Sequence, residues 1–267
     1  MDFYKYYSLN SDFTWEALRE DYFYFSSPSQ LNDPFDCRVN LIWKGDESDT
    51  KKWLQKKDFK NKDIDMLAKH IHNYDIQLDD FTPEEYKAAR DGIKIFSVTT
   101  NPENILMWSH YANNHTGICV KIKTIKWYGD IGVKFRACNF TRELVHDYPQ
   151  GYIPFSEVKY KYEMPSAVNM LYIKDNDHAL ERFILTKHFD WSYEEEYRTT
   201  AFIHDIYDQK MKYHTDTIQE VIFGMDCSND HKEYIIDIFK NKEKSKVVFK
   251  QAEPIKTEYG LNIVDYY

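Results

Sequence analysis

A chain of 267 residues is near the upper limit for one hydrophobic core, and 42% hydrophobic with 17% aromatic content is ample to fill it. The formal net charge of −9 works against nonspecific binding of a polyanion, which depends on Lys and Arg displacing counterions. Cys37, Cys119, Cys138 and Cys227 include no close pair, which excludes a secreted disulfide framework and a zinc-ribbon spacing.

The start, Met1 to Tyr6, has neither the basic residue cluster nor the apolar run of a signal peptide. No stretch approaches the roughly 20 apolar residues that cross a bilayer, so a cytoplasmic chain with no membrane partner is expected. Tyr4 to Ser8 reads as a short strand, and Asp12 or Thr14 is placed to cap a helix through Trp15 and Leu18. Tyr22 to Phe25 reads as a strand buried on both faces. Ser27-Pro28-Ser29-Gln30 fits a capping box, with Pro28 in the first helical position and Gln30 reaching back. From about 46 to 92 the composition turns to Lys, Asp and Glu. Ile64, Leu67, Ala68, Ile71 and Tyr74 keep helical spacing there, and Pro83 opens a second helix that Gly92 closes. This segment reads as a charged helical insert within a single domain spanning 1–267.

Ile93 to Thr99 reads as a strand, and Asn101-Pro102 as the cap of a helix containing Ile105, Leu106 and Trp108. Strands follow at Gly117 to Ile122, Gly132 to Phe135 and Val158 to Tyr162. His178 to Phe189 reads as a helix and Tyr193 to Ile203 as a strand. Ile218 to Phe223, a helix from Asp230 to Phe239, and Lys246 to Phe249 complete the core. The lysines between Lys240 and Lys250 read as a solvated loop and strand edge. The absence of a βαβ rhythm predicts an α+β fold, a mainly antiparallel sheet with flanking helices.

Three patches concentrate chemistry: Phe25 to Asp36, Phe96 to Gly117, and Lys187 to Arg198. In a strand, Glu194, Glu196 and Arg198 share one face and Glu195 takes the other. Adjacent carboxylates repel, and Arg198 is placed to offset that. A carboxylate so held can stabilise a developing oxocarbenium ion, although the same pattern fits a solvent-facing strand with a salt bridge. Ser97 and Thr99 likewise share a face. His110 and His115 would lie about 140° apart on a helix, which is poor for a shared metal, so no metal is predicted. An acid–base or orienting histidine fits better. Asn32-Asp33-Pro34 is dense in turn formers and reads as an Asx turn or a pocket rim. Walker, dinucleotide-glycine, G-x-S-x-G and H-E-x-x-H patterns are all missing.

The chain resembles a bacterial family known only as domain of unknown function 2971. The likeness rests on Tyr4-Lys5-Tyr6, Phe25-Ser26-Ser27-Pro28, Asn32-Asp33-Pro34-Phe35-Asp36, Met107-Trp108-Ser109-His110-Tyr111 with His115 and Gly117. It continues through Val158-x-Tyr160, Lys187 with Trp191, Glu194-x-Glu196-Tyr197-Arg198 and Ile222-Phe223-Gly224. The family name implies no reaction.

A more distant similarity is to ADP-ribosyltransferases, in the order Lys5 or Tyr6, Ser97-x-Thr99, Glu194-x-Glu196. That resemblance implies NAD as substrate, Glu196 promoting loss of nicotinamide, Ser97 bracing the site and Glu194 orienting an acceptor. Tyr6, Ser27, Thr99, Trp108, Tyr111 and Arg198 would then join Lys5 in holding the nucleotide. The chain departs from the pattern in lacking an early Arg or His-Gly and in reading Ser-Val-Thr on the middle strand. The expected function is an NAD-using transferase or glycohydrolase, as in a bacterial toxin or anti-phage defence effector, with a protein or nucleic-acid acceptor. Two alternatives use the same residues: a hydrolase or nuclease pairing His110 with Glu194 or Glu196, and a non-catalytic sensor of a nucleotide or protein.

Overall fold

The computed structural model describes residues 1–38, 41–42, 45–56, 61–72, 91–141, 151–169, 179–202, 206–242 and 246–266. Contacts divide the chain into two compact units. The first comprises Met1–Gln30, Gly92–Val158 and Asp190–Tyr267; the second comprises Leu31–Asp91 and Lys159–Phe189.

The first unit is built on an eight-stranded sheet. Its spatial order is Leu261–Asp265, Val248–Pro254, Ile218–Phe223, Ile118–Ile122, Phe3–Tyr7, Ile93–Thr99, Glu196–Phe202, Ser156–Glu157. All neighbours are antiparallel except Ile218–Phe223 with Val248–Pro254. That parallel pair is joined through the helix Asn229–Lys240, as a parallel connection requires a crossover. Ser228 caps this helix by accepting from the His231 N–H at 3.2 Å. The α+β, mainly antiparallel architecture expected from the sequence is the one observed.

The central strands are covered on both faces, so they read as apolar runs instead of alternating. In Ile118–Ile122 every residue but Lys121 is buried. One face carries a ring-rich core: Phe96 stacks on Phe23 at 4.7 Å and on Phe25 at 5.4 Å. The other face packs Tyr6, Cys119 and Ile222 against Met107 and Trp108 of the helix Ile105–Tyr111. The predicted box at Ser27 is present: the Ser27 N–H donates to Gln30 Oε1 at 2.8 Å, opening the 3₁₀ turn Pro28–Gln30.

In the second unit, helices Glu47–Lys56 and Asn61–His72 pack through Leu54, Ile64 and Ala68, the latter two on the predicted face. The helix predicted from Pro83 falls on residues 83–90, outside the described residues, as does Tyr74. Lys159–Lys161 pairs in parallel with Thr186–His188, and Leu41–Ile42 with Val168–Asn169.

Several boundaries differ from expectation. The first helix is capped at Ser11, one residue before Asp12. The helix expected to Phe189 stops at Ile184, because Thr186–His188 is drawn into strand pairing that begins where the Lys159 N–H donates to Leu185 O at 2.7 Å. The last strand, Leu261–Asp265, was not expected; it lies at a sheet edge with one buried residue, and so lacks a strong apolar pattern.

Candidate functional site

Three neighbouring strands place the candidate residues. Tyr4 is the partner of Thr99, Thr99 of Glu196, and Ser97 of Arg198. Partners directly opposite share a face, and alternation then fixes the rest. Tyr4, Tyr6, Ser97, Thr99, Glu196 and Arg198 therefore lie on one face. Phe3, Lys5, Phe96, Val98 and Tyr197 lie on the other, where Phe3 meets the Tyr197 ring at 5.2 Å. Lys5 follows that second face: its Nζ sits 5.1 Å over the Phe96 ring and donates to Ser97 O at 2.8 Å. Ser27 is on the same side as Lys5, accepting from the buried Lys94 Nζ at 2.7 Å. The structure thus brings Ser97, Thr99, Glu196 and Arg198 together and sets Lys5 and Ser27 on the opposite face.

The expectation that Glu194 shares the strand face of Glu196 is corrected. Phe189–Glu194 is a 3₁₀ helix, Glu195 takes a left-handed φ of 44°, and the strand begins at Glu196. Each of the three consecutive carboxylates meets a different set of donors. Glu194 accepts from the Tyr111 hydroxyl at 2.5 Å. Glu195 accepts from Thr100 Oγ1 at 3.1 Å and Asn101 Nδ2 at 3.0 Å. Glu196 is held by Arg198 through Nε at 2.7 Å and Nη2 at 2.9 Å. Glu194, Glu196 and Arg198 are only 3%, 5% and 2% exposed, so this charge lies in a medium that screens it poorly.

The helix over this face is anchored to the same turn. Asn104, and not Asn101, is its cap, accepting from Leu106 N at 2.9 Å and Met107 N at 3.1 Å. Its Nδ2 donates to Tyr193 O at 2.7 Å, which ties the helix start to the acidic turn. Trp108 is buried and donates to Pro102 O at 2.8 Å; buried Tyr6 donates to Asn101 O at 2.9 Å. Both side chains are therefore committed to packing and to the turn, not offered to a ligand.

Residues 107–199 match the model of a family described as "Protein of unknown function (DUF2971)". The resemblance expected from the motifs holds over that segment. No curated protein and no solved structure matches the chain. Within the DUF2971 segment, much of the Trp108-to-Gly117 motif proves architectural. Asn113, Asn114 and His115 all have positive φ, making a left-handed turn that returns the chain so that the Gly117 N–H meets Ala112 O at 2.8 Å. A Cβ on Gly117 would lie 2.1 Å from Tyr7 O, and one on Gly224 would lie 2.1 Å from His115 O. Those two glycines let three backbone segments cross at close range.

The two histidines separate in role. His110 is exposed, with its ring 6.2 Å from that of Tyr193. His115 is buried and stacked on Trp108, and burial lowers its pKa, partly opposed by Asp226. Ser109 donates its hydroxyl to Ile105 O at 2.9 Å, so it can only accept from His115 Nε2, 3.4 Å away. With the Ser109 hydroxyl turned to Ile105 O, that contact is made by a proton on His115 Nε2.

Sequence reasoning named Tyr4 only within the Tyr4-Lys5-Tyr6 motif and did not choose it as a site residue. It stands between Lys121 and Thr99 in a row that runs Glu220, Lys121, Tyr4, Thr99, Glu196 across five strands. The Tyr4 hydroxyl is half-buried, and burial pushes its pKa up to about 12. Lys121 is partly withdrawn from water, which opposes its charge, yet Asp2 at 3.0 Å and Glu220 at 3.3 Å leave its pKa raised. The signal for Tyr4 lay in the strand order, which a single sequence does not carry. Among the described residues no group of three or more His, Cys, Asp or Glu is arranged to hold a metal, and no helix is long and apolar enough to cross a membrane.

Proposed function

We propose that the first unit is an ADP-ribosyltransferase-like enzyme, a transferase or NAD glycohydrolase, that promotes loss of nicotinamide from NAD. The supporting observation is Glu196: it heads its strand directly opposite Thr99, with both carboxylate oxygens gripped by Arg198. A carboxylate held in this way is a poor base but a fixed negative charge. Its chemistry is therefore electrostatic. As the ribose C1′–nitrogen bond breaks, the electron pair leaves with nicotinamide and neutralises its ring, while positive charge grows on the ribose. A fixed carboxylate in a poorly screened site stabilises that charge. Tyr4, Ser97 and Tyr111 on this side are half-buried. Water or an acceptor nucleophile then bonds to C1′ and releases its proton to solvent, with Glu194 and Tyr111 orienting the acceptor. In a bacterium such an activity would suit a toxin or a defence effector.

The test is to incubate the purified protein with NAD and follow nicotinamide by chromatography, with Glu196→Gln alongside and circular dichroism to show that both are folded. Release by the wild type that disappears in the variant is the expected result. No release, even with cell extract supplied as acceptor, sinks the proposal. A second reading has one observation in its favour: Glu196 and Arg198 are both buried and bonded to each other, as suits a non-catalytic nucleotide sensor. NAD that raises the melting temperature without turnover would decide for it.

A further inference from the structure

A cavity of about 230 Å³ lies within the first unit, lined by Lys123, Ile125, Lys134, His214, Asp216 and Thr217. Three segments build it. The turn from His214 to Thr217 is closed by the Thr217 N–H, which donates to His214 O at 2.8 Å. The Lys123 N–H donates to Thr217 O at 2.8 Å and holds the end of strand Ile118–Ile122 against that turn. Lys134 ends the strand Asp130–Lys134.

The lining carries polar groups that the protein itself does not answer. Thr217 is only 4% exposed, yet its hydroxyl has no hydrogen-bond partner among the described residues. His214 Nε2 is buried and has none either. Burying such groups without partners costs free energy, so the cavity favours an occupant that supplies them. Lys134 is exposed and enters no ion pair among the described residues. Lys123 is paired with Asp216 at 2.6 Å, and its ammonium holds the Asp216 carboxyl below the ordinary carboxylate range. Two ammonium groups thus meet one carboxylate, and the lining is positive in a chain whose net charge is −9.

We propose that this cavity binds phosphate, as the free ion or as the terminal group of a small phosphomonoester. Its volume falls below the roughly 300–1,000 Å³ of sites for drug-sized ligands, which restricts the occupant to a small one. Lys123, Lys134 and the Thr217 hydroxyl supply donors for unprotonated oxygens. Asp216 supplies discrimination. When ionised it can only accept, so it repels an oxyanion that has lost every proton and bonds one that keeps a P–O–H. Phosphate keeps such a proton in mildly acidic to neutral solution, and sulfate does not. The acidity of the whole chain works against anions at long range, so affinity comes from these contacts. None of these residues enters the NAD reading, so the failure of either proposal leaves the other standing.

The test is isothermal titration of the full chain with phosphate, methyl phosphate and sulfate at matched ionic strength. A pH of about 6 suits it, because a phosphomonoester there keeps its second proton on about half its molecules. Phosphate should bind with a Kd below about 1 mM and at least about tenfold more tightly than sulfate. Methyl phosphate binding as well as phosphate would name an ester's terminal group as the occupant; methyl phosphate failing where phosphate binds would name the free ion. Lys134→Ala should weaken phosphate binding at least about fivefold, and Thr217→Val, which keeps the shape and removes the hydroxyl, at least about threefold. Asp216→Asn should bring phosphate and sulfate within about threefold of each other, because an amide donates as well as accepts. Circular dichroism checks each variant. Lys134 and Asp216 are exposed, so their variants keep the test decisive if Thr217→Val fails to fold. Four results would overturn the proposal: no binding up to about 10 mM phosphate, sulfate bound as tightly as phosphate by the wild type, Lys134→Ala binding like the wild type, or Asp216→Asn keeping the full preference for phosphate.

Discussion

Glu196 and Arg198, two residues apart on one strand, close a two-pronged ion pair in which Nε meets Oε1 at 2.7 Å and Nη2 meets Oε2 at 2.9 Å. Both residues are buried, so desolvation offsets most of their attraction and the pair adds little net stability. Breaking it is another matter. Arg198→Met should remove both of these contacts from the buried Glu196 carboxylate and cost about 3–5 kcal/mol in urea unfolding. The double variant Glu196→Gln with Arg198→Met should recover much of that. A double variant no more stable than Arg198→Met alone would show that the loss comes from packing and not from the buried Glu196 charge.

The contact between Tyr111 and Glu194 joins the helix Ile105–Tyr111 to the acidic turn. Tyr111→Phe keeps the ring and removes the donor, so it should cost about 1–3 kcal/mol. If Glu194 orients the acceptor, the same change should lower transfer to an acceptor more than it lowers release of nicotinamide into water. Equal losses in both would assign Tyr111 to the fold alone.

Two kinds of glycine should respond differently to alanine. Gly117 and Gly224 face backbone oxygens only 2.1 Å from a would-be Cβ, and backbone cannot step aside as a flexible side chain can. Either Gly→Ala change should cost more than about 3 kcal/mol or abolish soluble expression. Gly129 has a φ of +99° with nothing within 4 Å, so Gly129→Ala meets only backbone strain, about 1 kcal/mol. Thermal melts of the three variants rank them.

What the sequence made legible, and what it did not, follows from the range of the forces involved. Ile93–Thr99 and Ile218–Phe223 fall where expected because their apolar runs need no information from elsewhere. The Ser27 box is equally local. The acidic turn misled because a period of two cannot reveal that Glu195 adopts a left-handed φ and breaks the alternation. Asn101 and Asn104 are equally good caps by type; the choice falls on Asn104, whose amide also reaches Tyr193 O, 89 residues away. Lys5 and Ser97 look like partners in chain order, yet register puts their side chains on opposite faces. Register is a property of strand neighbours and is not written in any one strand.

The four free cysteines should divide by reactivity, since the thiolate is the reactive form and needs access. Cys138 is exposed, whereas Cys37, Cys119 and Cys227 are buried. Burial pushes the Cys119 thiol well up and that of Cys227 to about 11. A chromogenic disulfide reagent at neutral pH should titrate Cys138 quickly in the native protein and the others only on unfolding. Fast reaction in a Cys138→Ser variant would contradict that ordering.

His115 makes a further prediction about pH. Burial lowers its pKa below the ordinary histidine value, and Asp226 offsets this only in part. The unfolded chain therefore binds the proton more readily than the folded one over the interval between the lowered pKa and about 6.5. Stability from this residue is complete above about 6.5 and is lost as pH falls through that interval. The tautomer argument points the same way: protonation would place a hydrogen on Nδ1, a buried atom with no acceptor facing it among the described residues. Urea midpoints measured at about pH 7.5 and about pH 5.5 should fall in the wild type, and His115→Gln should show a smaller fall. The protein has 10 histidines, so the comparison lies in the difference between the two proteins and not in the wild-type slope. An identical fall in both would mean that His115 keeps its ordinary affinity for the proton in the folded state.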